Sequence, residues 1–373
     1  MSGDYKQLLE EIAAEAANLA AEVDRGMFPA STLRRLAEAG ILGLVSSKDV
    51  GGGGASLSAA AEVVERLARE CGSTAMVVCM HFTATVAIEQ YGPRPIREAI
   101  AAGRHLSTIA FSEAGSRSHF WAPSSTAVLD GAEVRLNARK SWITSAHHAD
   151  SYVWSSRPLA NSEASTLWLV PRTTAGLRMS DVPFDGLGLR GNDSSPVVAE
   201  DVRVPRSAQM GEDGAGFGVM MGLLLQWFNT LSTAVSAGLM EAAVRKTAAH
   251  ASGAQFLHAG SAVADLPTVR AYIARMRIAT DQTKALLADT IAAIETQRED
   301  AMLRVLESKA AAGESAAFVT DLAMRVCGGA AFRKEVGVER VFRDSRAALV
   351  MGPTTDLLYD FIGKAVCGMP LFS

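Results

Sequence analysis

The sequence predicts an α+β multidomain protein in which a helical domain is followed by a β domain and then by a second helical domain. Three observations support this order. Apolar residues recur at helical spacing in the first hundred residues, the period then changes to alternation, and long Ala-, Leu- and Met-rich segments complete the chain. We therefore predict an N-terminal helical domain at 1–105, a central β domain at 106–208 and a C-terminal helical bundle at 209–373.

The N-terminal helices are predicted from apolar residues on one helical face, from Leu8 to Ala16 and again from Ala60 to Leu67. A run of four glycines, Gly51 to Gly54, separates these segments. It lacks the Gly-Lys-Ser/Thr sequence of a phosphate-binding P-loop, so we interpret it as a turn with a permissive backbone.

The central domain is predicted from five segments with β-branched residues and alternation, separated by turns such as Asp130-Gly131. These segments are LSTIAFSE, STAVLDGAEVRLNARKSWITSA, SYVWSSR, STLWLVP and PVVAEDVRVP. Their length and number predict a small antiparallel barrel or sandwich.

The C-terminal domain is predicted to contain five helical segments. They cover 217–251, 268–296, 300–311, 315–326 and 356–366. For most of their residues, packing in a helical bundle is a sufficient explanation.

Composition excludes several classes of protein. Hydrophobic residues make up 49% of the chain and charged residues 20%, with a net charge of -4. Basic residues are scattered, which argues against nucleic-acid binding. No apolar run reaches the roughly 18 residues of a membrane span, and the acidic, helical first 24 residues argue against a signal peptide. The four cysteines show no metal-ligand spacing, so reduced thiols in a cytoplasmic protein are the simplest interpretation.

Five segments, in order along the chain, have the residue types and spacing of one enzyme family. They are Phe111-Ser112-Glu113 with Gly115 and Ser118, Lys140 to Ser145, Gly186 to Gly191 with Glu200 to Pro205, Gly214 to Phe217, and Cys327 to Gly329 with Glu339 to Arg346. In these segments the chain resembles the flavin-dependent acyl-CoA dehydrogenases, over nearly its whole length. The resemblance implies that the C-terminal domain is a four-helix bundle. It also implies a flavin cofactor, which we predict to be FAD, with FMN as the alternative. It further implies a small-molecule substrate, either an acyl thioester bound to CoA or to a carrier protein, or another apolar compound. The expected assembly is a homodimer or homotetramer.

The resemblance assigns several flavin contacts to the β domain. Trp142 would pack its ring against the isoalloxazine, and the hydroxyl of Thr144 would bond to the flavin edge. Thr144 follows Trp142 by two residues in the predicted strand, so we expect both side chains to point to the same face. Ser112 and Ser118 match hydroxyl donors suited to a phosphate or to the flavin edge. Without the resemblance, Trp142 reads as an ordinary barrel tryptophan and the serines as turn residues.

Further flavin contacts are implied in the C-terminal domain. Gly328 and Gly329 would let the backbone approach the adenine half of FAD. Thr354 matches a threonine that contacts the phosphate or ribose region, and Asp356 is a nearby candidate. Arg325 stands where the family has a glutamine, and its guanidinium could replace a phosphate contact.

Two departures from the family pattern affect the predicted flavin site. The family has an arginine three residues before a phenylalanine that here is Phe256, and this chain has Gly253 at that place. His119 stands where the family usually has an aspartate. The first departure removes a contact to FAD, which is why FMN stays open as the cofactor.

The usual catalytic base of the family is missing. Removal of a proton from an acyl α-carbon needs a base within hydrogen-bond reach. The family glutamate corresponds to Gly352, which has no side chain. A second family position for the base lies on the first long C-terminal helix, where Phe228 and Asn229 stand instead. We expect Phe228, Asn229 and Gly352 to line the substrate site without supplying a base.

Three hypotheses follow from the missing base. In the first, another group removes the proton, for example Asp356, Glu113, His119 or His81; Asp356 could instead cap the last helix, and His81 could be a core histidine. In the second, the protein is a flavin monooxygenase that uses reduced flavin and oxygen on the same scaffold. In the third, it is a non-catalytic flavin-binding or partner subunit.

Overall fold

The computed structural model describes residues 4–160, 164–258 and 260–371. It confirms the order of helices, strands and helices. The N-terminal helices are α1 (Asp4–Val23), α2 (Ala30–Glu38), α3 (Leu57–Ala68), α4 (Gly72–Tyr91) and α5 (Arg94–Ala101). The strands are β1 (Ser107–Ala110), β2 (Thr126–Asp130), β3 (Glu133–Ile143), β4 (Ser151–Ser156), β5 (Thr166–Pro171), β6 (Leu177–Met179), β7 (Ser195–Pro205) and β8 (Gln209–Met210), followed later by the short pair β9 (Gln255–Phe256) and β10 (Ser261–Ala262). The remaining helices are α6 (Gly216–Val219), α7 (Leu225–Gly253), α8 (Pro267–Glu295), α9 (Ala301–Cys327), α10 (Val338–Ser345), α11 (Ala347–Val350) and α12 (Thr355–Val366).

The chain folds into two compact units. The first contains the described residues of Met1–Ala60, Met76–Asp185 and Arg190–Phe228. The second contains the described residues of Ala61–Ala75, Gly186–Leu189 and Asn229–Ser373. The C-terminal helical unit therefore also includes one short piece from the N-terminal region and one from the middle of the sequence.

Helix α4 is the most apolar of the N-terminal helices. It is long and apolar enough to cross a membrane, but 89% of its most hydropathic window is buried inside the protein. A helix that is apolar on all sides can be a core helix as well as a membrane span. The burial of α4 supports the former interpretation.

The central strands form two four-stranded sheets rather than a closed barrel, so the sandwich alternative is correct. The first sheet has the order β1-β4-β5-β8 and the second β2-β3-β7-β6. Strands β1 and β4 are parallel, whereas the other pairs within these two sheets are antiparallel. Strands β1 and β4 can be parallel because they are not joined by a hairpin: β2 and β3, which belong to the other sheet, lie between them in the sequence.

Two apolar cores explain why β4 is buried along its whole length. Tyr152 and Trp154 face a core shared by the two sheets. Val153, on the opposite face of the strand, packs with residues of α4 and with Leu167 of β5. A strand that is covered on both faces does not alternate between buried and exposed residues, and all six residues of β4 are buried.

In the second unit, α8, α10, α11 and α12 all pack against α9. The two predicted segments 300–311 and 315–326 form this one helix, so the predicted break between them is wrong. Gly313 lies in the interior of α9, where a Cβ atom would lie 3.2 Å from Thr355 Oγ1 and 3.3 Å from a Leu349 methyl group. The glycine therefore allows close helix packing rather than a turn.

Helices α7 and α8 are joined by a charged cluster. The Glu241 carboxylate of α7 accepts hydrogen bonds from Arg277 and Lys284 of α8, with 2.9 Å from Arg277 Nη1 to Glu241 Oε1. Burial alone would raise the pKa of Glu241, but the hydrogen bonds and charges of these two cations lower it to about 2.

Immediately before α7, residues Met220–Leu224 form a wider π-helical turn, a feature often found near functional sites.

Candidate active site

In the first unit, the backbone brings Ser112 next to the segment that carries Trp142. The chain after β1 pairs with β3: the Ser141 amide donates to the Ser112 carbonyl over 3.0 Å, and the Ala114 amide donates to the Arg139 carbonyl over 3.1 Å. Glu113 and Lys140 form the antiparallel bridge between these two bonds. The predicted site residues Ser112 and Trp142 are therefore held by one short ladder. Ser118 lies beyond it, in the following loop, at a φ of 77°.

Trp142 is a solvent-facing tryptophan in a left-handed backbone conformation. It is 68% exposed and has a φ of 59°. Its ring and that of Phe184 are nearly perpendicular, with a centroid distance of 6.2 Å. A large exposed aromatic surface held by an uncommon backbone conformation is a feature of ligand sites.

The prediction that Thr144 shares the face of Trp142 through strand alternation is wrong. Strand β3 ends at Ile143, and its register against β7 shifts between Lys140 and Ile143. Thr144 is buried, whereas Trp142 is exposed. The positive φ of Trp142 and the register shift break the two-residue period on which the prediction relied.

The hydroxyl of Thr144 instead lies within hydrogen-bond distance of the turn before β7. Its Oγ1 lies 3.2 Å from Ser194 Oγ, which donates to Asn192 Oδ1 over 3.0 Å. The Ser145 amide donates to the Asn192 carbonyl over 2.9 Å. These bonds fix the end of β3 and the threonine hydroxyl relative to the turn.

Asp193 reinforces the same connection. Its carboxylate accepts the His147 amide at 2.7 Å and the Ser195 hydroxyl at 2.7 Å, and contacts His147 Nδ1 at 2.9 Å. The other ring nitrogen of His147 lies 3.0 Å from the Ser180 carbonyl. Asp193 has a φ of 50° and Ser145 a φ of 59°. Residues with a positive φ therefore cluster around Trp142 and Thr144, and the hydrogen bonds of this turn hold these residues in the left-handed conformation.

Glu113 cannot serve as the missing base because it belongs to a buried ion pair. Lys140 Nζ lies 2.6 Å from Glu113 Oε1, and the two side chains are 0% and 1% exposed. Ser124 and Ser125 also donate to this carboxylate. Burial alone would raise the pKa of Glu113, but the charge of Lys140 and these hydrogen bonds lower it to about 2. Burial lowers the pKa of Lys140 to about 8 against the opposing effect of Glu113, so both groups are charged near neutral pH.

His81 is the core histidine that the sequence offered as an alternative. It is fully buried, its Nδ1 accepts the Ser107 amide at 3.2 Å, and its Nε2 lies 3.1 Å from the Leu42 carbonyl. These partners fit the neutral ring with its proton on Nε2. Burial lowers the pKa of His81 to about 4. His119, by contrast, is exposed, and its Nδ1 lies 3.1 Å from the Arg117 carbonyl.

In the second unit, Gly328 and Gly329 follow the end of α9. Gly328 has a φ of 52° and a ψ of -133°, a conformation that favours glycine. A Cβ atom built on either glycine would meet no atom within 4 Å. Arg325, one turn earlier, is exposed and its guanidinium lies 5.9 Å from the centre of the Tyr272 ring. The open backbone beside an arginine fits a contact with the phosphate or adenine part of a dinucleotide.

The segment Met351–Thr354 connects α11 to α12. Gly352 and Thr354 are partly exposed, and Thr354 precedes the first residue of α12. Asp356 lies exposed in the first turn of α12, where a carboxylate complements the helix dipole; Thr354, not Asp356, occupies the N-cap position. Among the described residues, no hydrogen bond of the Gly352 amide is seen.

Phe228 and Asn229 lie in the first turns of α7. Phe228 is partly buried, whereas Asn229 is 0% exposed. Both amide atoms of Asn229 lack a hydrogen-bond partner among the described residues. A buried side-chain amide without partners is uncommon and costs free energy, so Asn229 is an unusual core residue at the predicted substrate position.

Sequence reasoning did not identify two groups that hold the predicted site residues in place. One is the turn at Asn192–Ser194 that anchors Thr144. The other is Lys309, whose ammonium donates to the backbone of the connection that contains Gly352. A lysine at a core position of an Ala-rich helix was the available signal for the second group, whereas nothing in the local sequence indicated the first.

Comparisons with known proteins are consistent with this arrangement. Models of the acyl-CoA dehydrogenase N-terminal, middle and C-terminal domains match residues 5–102, 108–202 and 214–367. The human mitochondrial short-chain specific acyl-CoA dehydrogenase is 27% identical over 356 residues, which cover 91% of this chain and 83% of the relative. The structure of butyryl-CoA dehydrogenase from Megasphaera elsdenii superposes with a TM-score of 0.90 at 20% sequence identity. The superposition covers 98% of this chain and 99% of the butyryl-CoA dehydrogenase chain. The prolyl acyl carrier protein oxidase AnaB has a TM-score of 0.86 at 18% identity, with coverage of 98% and 99%. At these identities, the two solved structures show a shared fold.

Proposed function

Because the chain belongs to the acyl-CoA dehydrogenase family, we propose that it is a flavin-dependent oxidoreductase that binds FAD and acts on the CH–CH group of an acyl thioester. The observation that carries the proposal is the ladder that joins Ser112 to the segment of Trp142. It holds a hydroxyl and a 68% exposed indole on adjacent chain segments, as a flavin cover requires.

The residues present fit FAD. Within the first unit, Trp142 offers a flat surface, and Ser112 and Thr144 offer hydroxyls. Within the second unit, Gly328 and Gly329 leave open space beside the backbone. When bound, FAD supplies the acceptor for the hydride that leaves the substrate. Trp142 would stack on the ring system, and the Thr144 hydroxyl would bond to its edge. Arg325 would contact the phosphates, and Thr354, with Asp356 nearby, would contact the region between phosphate and ribose.

The carrier of the acyl group, CoA or an acyl carrier protein, stays part of the proposal. The human relative carries acyl-CoA in its name, and AnaB is named for a prolyl acyl carrier protein. We propose that Phe228, Asn229 and Gly352 line the acyl site. A homodimer or homotetramer in the cytoplasm is the expected assembly and location.

A second function, flavin monooxygenase, is favoured by the fate of the candidate bases. Glu113 is paired with Lys140, and His81 is held in the core by two backbone groups. Gly352 offers no side chain. Of the four groups considered as bases, His119 and Asp356 are exposed and keep the dehydrogenase hypothesis open. A monooxygenase needs no base for an α-proton.

The deciding experiment begins with the purified protein and its bound cofactor. Identification of FAD by chromatography supports the cofactor proposal, whereas FMN alone or a colourless protein that takes up neither flavin contradicts it. Anaerobic addition of butyryl-CoA should then bleach the flavin absorbance, and butyrate without the thioester is the matched control. Flavin that stays oxidised until a flavin reductase is added, followed by oxygen consumption and a hydroxylated product, supports the monooxygenase. A protein that binds FAD and does neither supports the non-catalytic hypothesis.

A further inference from the structure

Lys309 is a buried lysine whose partners are all backbone carbonyls. It lies on α9 and is 1% exposed. Its Nζ donates to the Pro353 carbonyl at 2.7 Å and to the Met351 carbonyl at 3.1 Å, with a longer contact of 3.5 Å to the Ala348 carbonyl. No carboxylate of the described residues lies within ion-pair distance of this ammonium. All three acceptors belong to α11 or to its connection with α12.

The chemistry of an ammonium matches this set of acceptors. A protonated lysine has three N–H donors and no acceptor, so three converging carbonyls use its full capacity. Burying a charge without a counter-ion is costly, and this one is compensated only by main-chain dipoles. Burial lowers the pKa of Lys309 to about 7, in agreement with that cost. A neutral apolar residue would avoid it, which indicates that holding these carbonyls is the role of the side chain.

The two shorter bonds hold the peptide units on either side of the Gly352–Pro353 bond. The Met351 carbonyl shares its planar peptide unit with the Gly352 amide, and the Pro353 carbonyl shares its unit with the Thr354 amide. In a trans peptide, the C=O and N–H groups point in opposite directions, so the Lys309 bond to Met351 directs the Gly352 N–H away from α9. A cation bonded to the carbonyl also polarises the amide and strengthens it as a donor.

The same face of α9 supports this connection one turn later. Gly313 follows Lys309 by four residues, which places the two on one side of the helix. A Cβ atom at Gly313 would lie 3.2 Å from Thr355 Oγ1 and 3.3 Å from a Leu349 methyl group. The segment that connects α11 to α12 is therefore held against α9 in two ways, by close packing at Gly313 and by hydrogen bonds from Lys309.

We propose that Lys309 is a positioning residue, which orients the Gly352 amide as a hydrogen-bond donor toward the substrate. Since Gly352 has no side chain, only its backbone can interact with a reactant. The position of the Gly352 backbone is then fixed by the hydrogen bonds that the Lys309 ammonium donates to the neighbouring carbonyls. The role in the reaction rests on the proposed function, but the positioning itself is independent of any cofactor.

The first test compares backbone mobility in Lys309→Met with that in the wild-type protein. Hydrogen–deuterium exchange of peptides covering 347–356 should become at least tenfold faster in the variant, while peptides from α8 stay within twofold. Lys364→Met is the matched control, because Lys364 lies on α12 and pairs with the exposed Asp360 over 2.9 Å. If Lys309→Met does not fold, the neutral Lys309→Gln takes its place under the same criteria. Exchange within twofold of wild type in 347–356 would overturn the proposal.

The second test separates positioning from a purely structural role. The Kd of butyryl-CoA, measured through the flavin spectrum, should rise at least tenfold in Lys309→Met and less in Lys309→Arg, which keeps the charge. An unchanged Kd overturns the role toward the substrate. If the wild-type protein binds no flavin while the variant still shows fast exchange in 347–356, the proposed function fails and the positioning role stands.

Discussion

Lys140 Nζ lies 2.6 Å from Glu113 Oε1, both side chains are buried, and the pair joins the two segments that carry Ser112 and Trp142. Lys140 also donates to the Ser155 carbonyl at 2.7 Å, so the ammonium is satisfied on more than one side. A buried ion pair of this kind adds little net stability compared with apolar residues, but the loss of one partner leaves a buried charge. Its position suggests that it fixes the geometry of the proposed flavin cover.

We expect Glu113→Gln and Lys140→Met to lower the free energy of unfolding by about 3–5 kcal/mol each, because each leaves the other charge without its counter-ion. The double variant should lose less than the sum of the two. Urea unfolding of the four proteins measures the coupling. The exposed pair of Arg178 and Glu200 supplies the control, and Glu200→Gln should give no measurable change. Strictly additive losses at Glu113 and Lys140 would show that the pair is not coupled.

The stability of the fold should depend on pH through His81. Burial lowers the pKa of this histidine to about 4, whereas the unfolded chain binds the proton near the ordinary value of about 6.5. The unfolded state therefore binds more protons between these values. Stability from this group is complete above about pH 6.5 and falls by about 3 kcal/mol as the pH decreases to 4. Asp150 and His105 also act on the ring electrostatically, with opposite signs.

The measurement is the free energy of unfolding in urea between pH 4.5 and 7.5 for wild type and His81→Asn. The variant should be less stable at neutral pH, because the Ser107 amide and the Leu42 carbonyl lose their partner. Its pH dependence below pH 6.5 should be shallower. Parallel pH profiles for the two proteins would rule out His81 as the source of the slope.

Trp142 should contribute to FAD affinity through its exposed ring. We expect Trp142→Ala to raise the Kd for FAD about tenfold, which corresponds to the roughly 1.5 kcal/mol of an aromatic stacking contact. Trp142→Phe should retain most of the affinity. Leu257→Ala, at a residue that is 93% exposed, tests the effect of removing an unrelated apolar side chain. Titration of the apoprotein with FAD gives the Kd values, and equal affinities for Trp142→Ala and wild type would refute the stacking role.

Gly352 gives a direct test of the missing base. It is not among the glycines with positive φ, so a side chain there does not require a strained backbone. If the site is otherwise that of an acyl-CoA dehydrogenase, Gly352→Glu should increase the turnover of butyryl-CoA by about a hundredfold, the lower range of general-base catalysis. Gly352→Gln is the matched control, since it has the same size without the carboxylate. Equal turnover in the two variants would mean that a base at this position is not what limits the reaction.

The sequence alone predicted the order of the domains and the segments that form the candidate site. Helical spacing in the region of Leu9 to Ala16 and alternation in β3 follow from local periodicity, which depends on neighbouring residues only. The motif segments around Ser112, Trp142 and Gly328 were recognisable for the same reason: each is short and continuous. The missing side chain at Gly352 is also a property of the sequence itself.

Other features required the tertiary structure. Sequence periodicity placed Thr144 on the face of Trp142, but hydrogen bonds to Asn192 and Ser194 and a left-handed residue end the alternation. It also split α9 near Gly313, because the reason for that glycine lies in contacts with Leu349 and Thr355.

The chemical state of the titratable groups was likewise decided by residues distant in sequence. Glu113 and His81 were both candidate bases until Lys140, 27 residues from Glu113, and the backbone at Leu42 and Ser107 supplied their partners. Lys309 contacts carbonyls 39 to 44 residues away. The sequence determined the elements and the types of functional group, whereas long-range contacts decided which groups are charged, held or free to act, because burial and hydrogen bonding depend on the assembled fold.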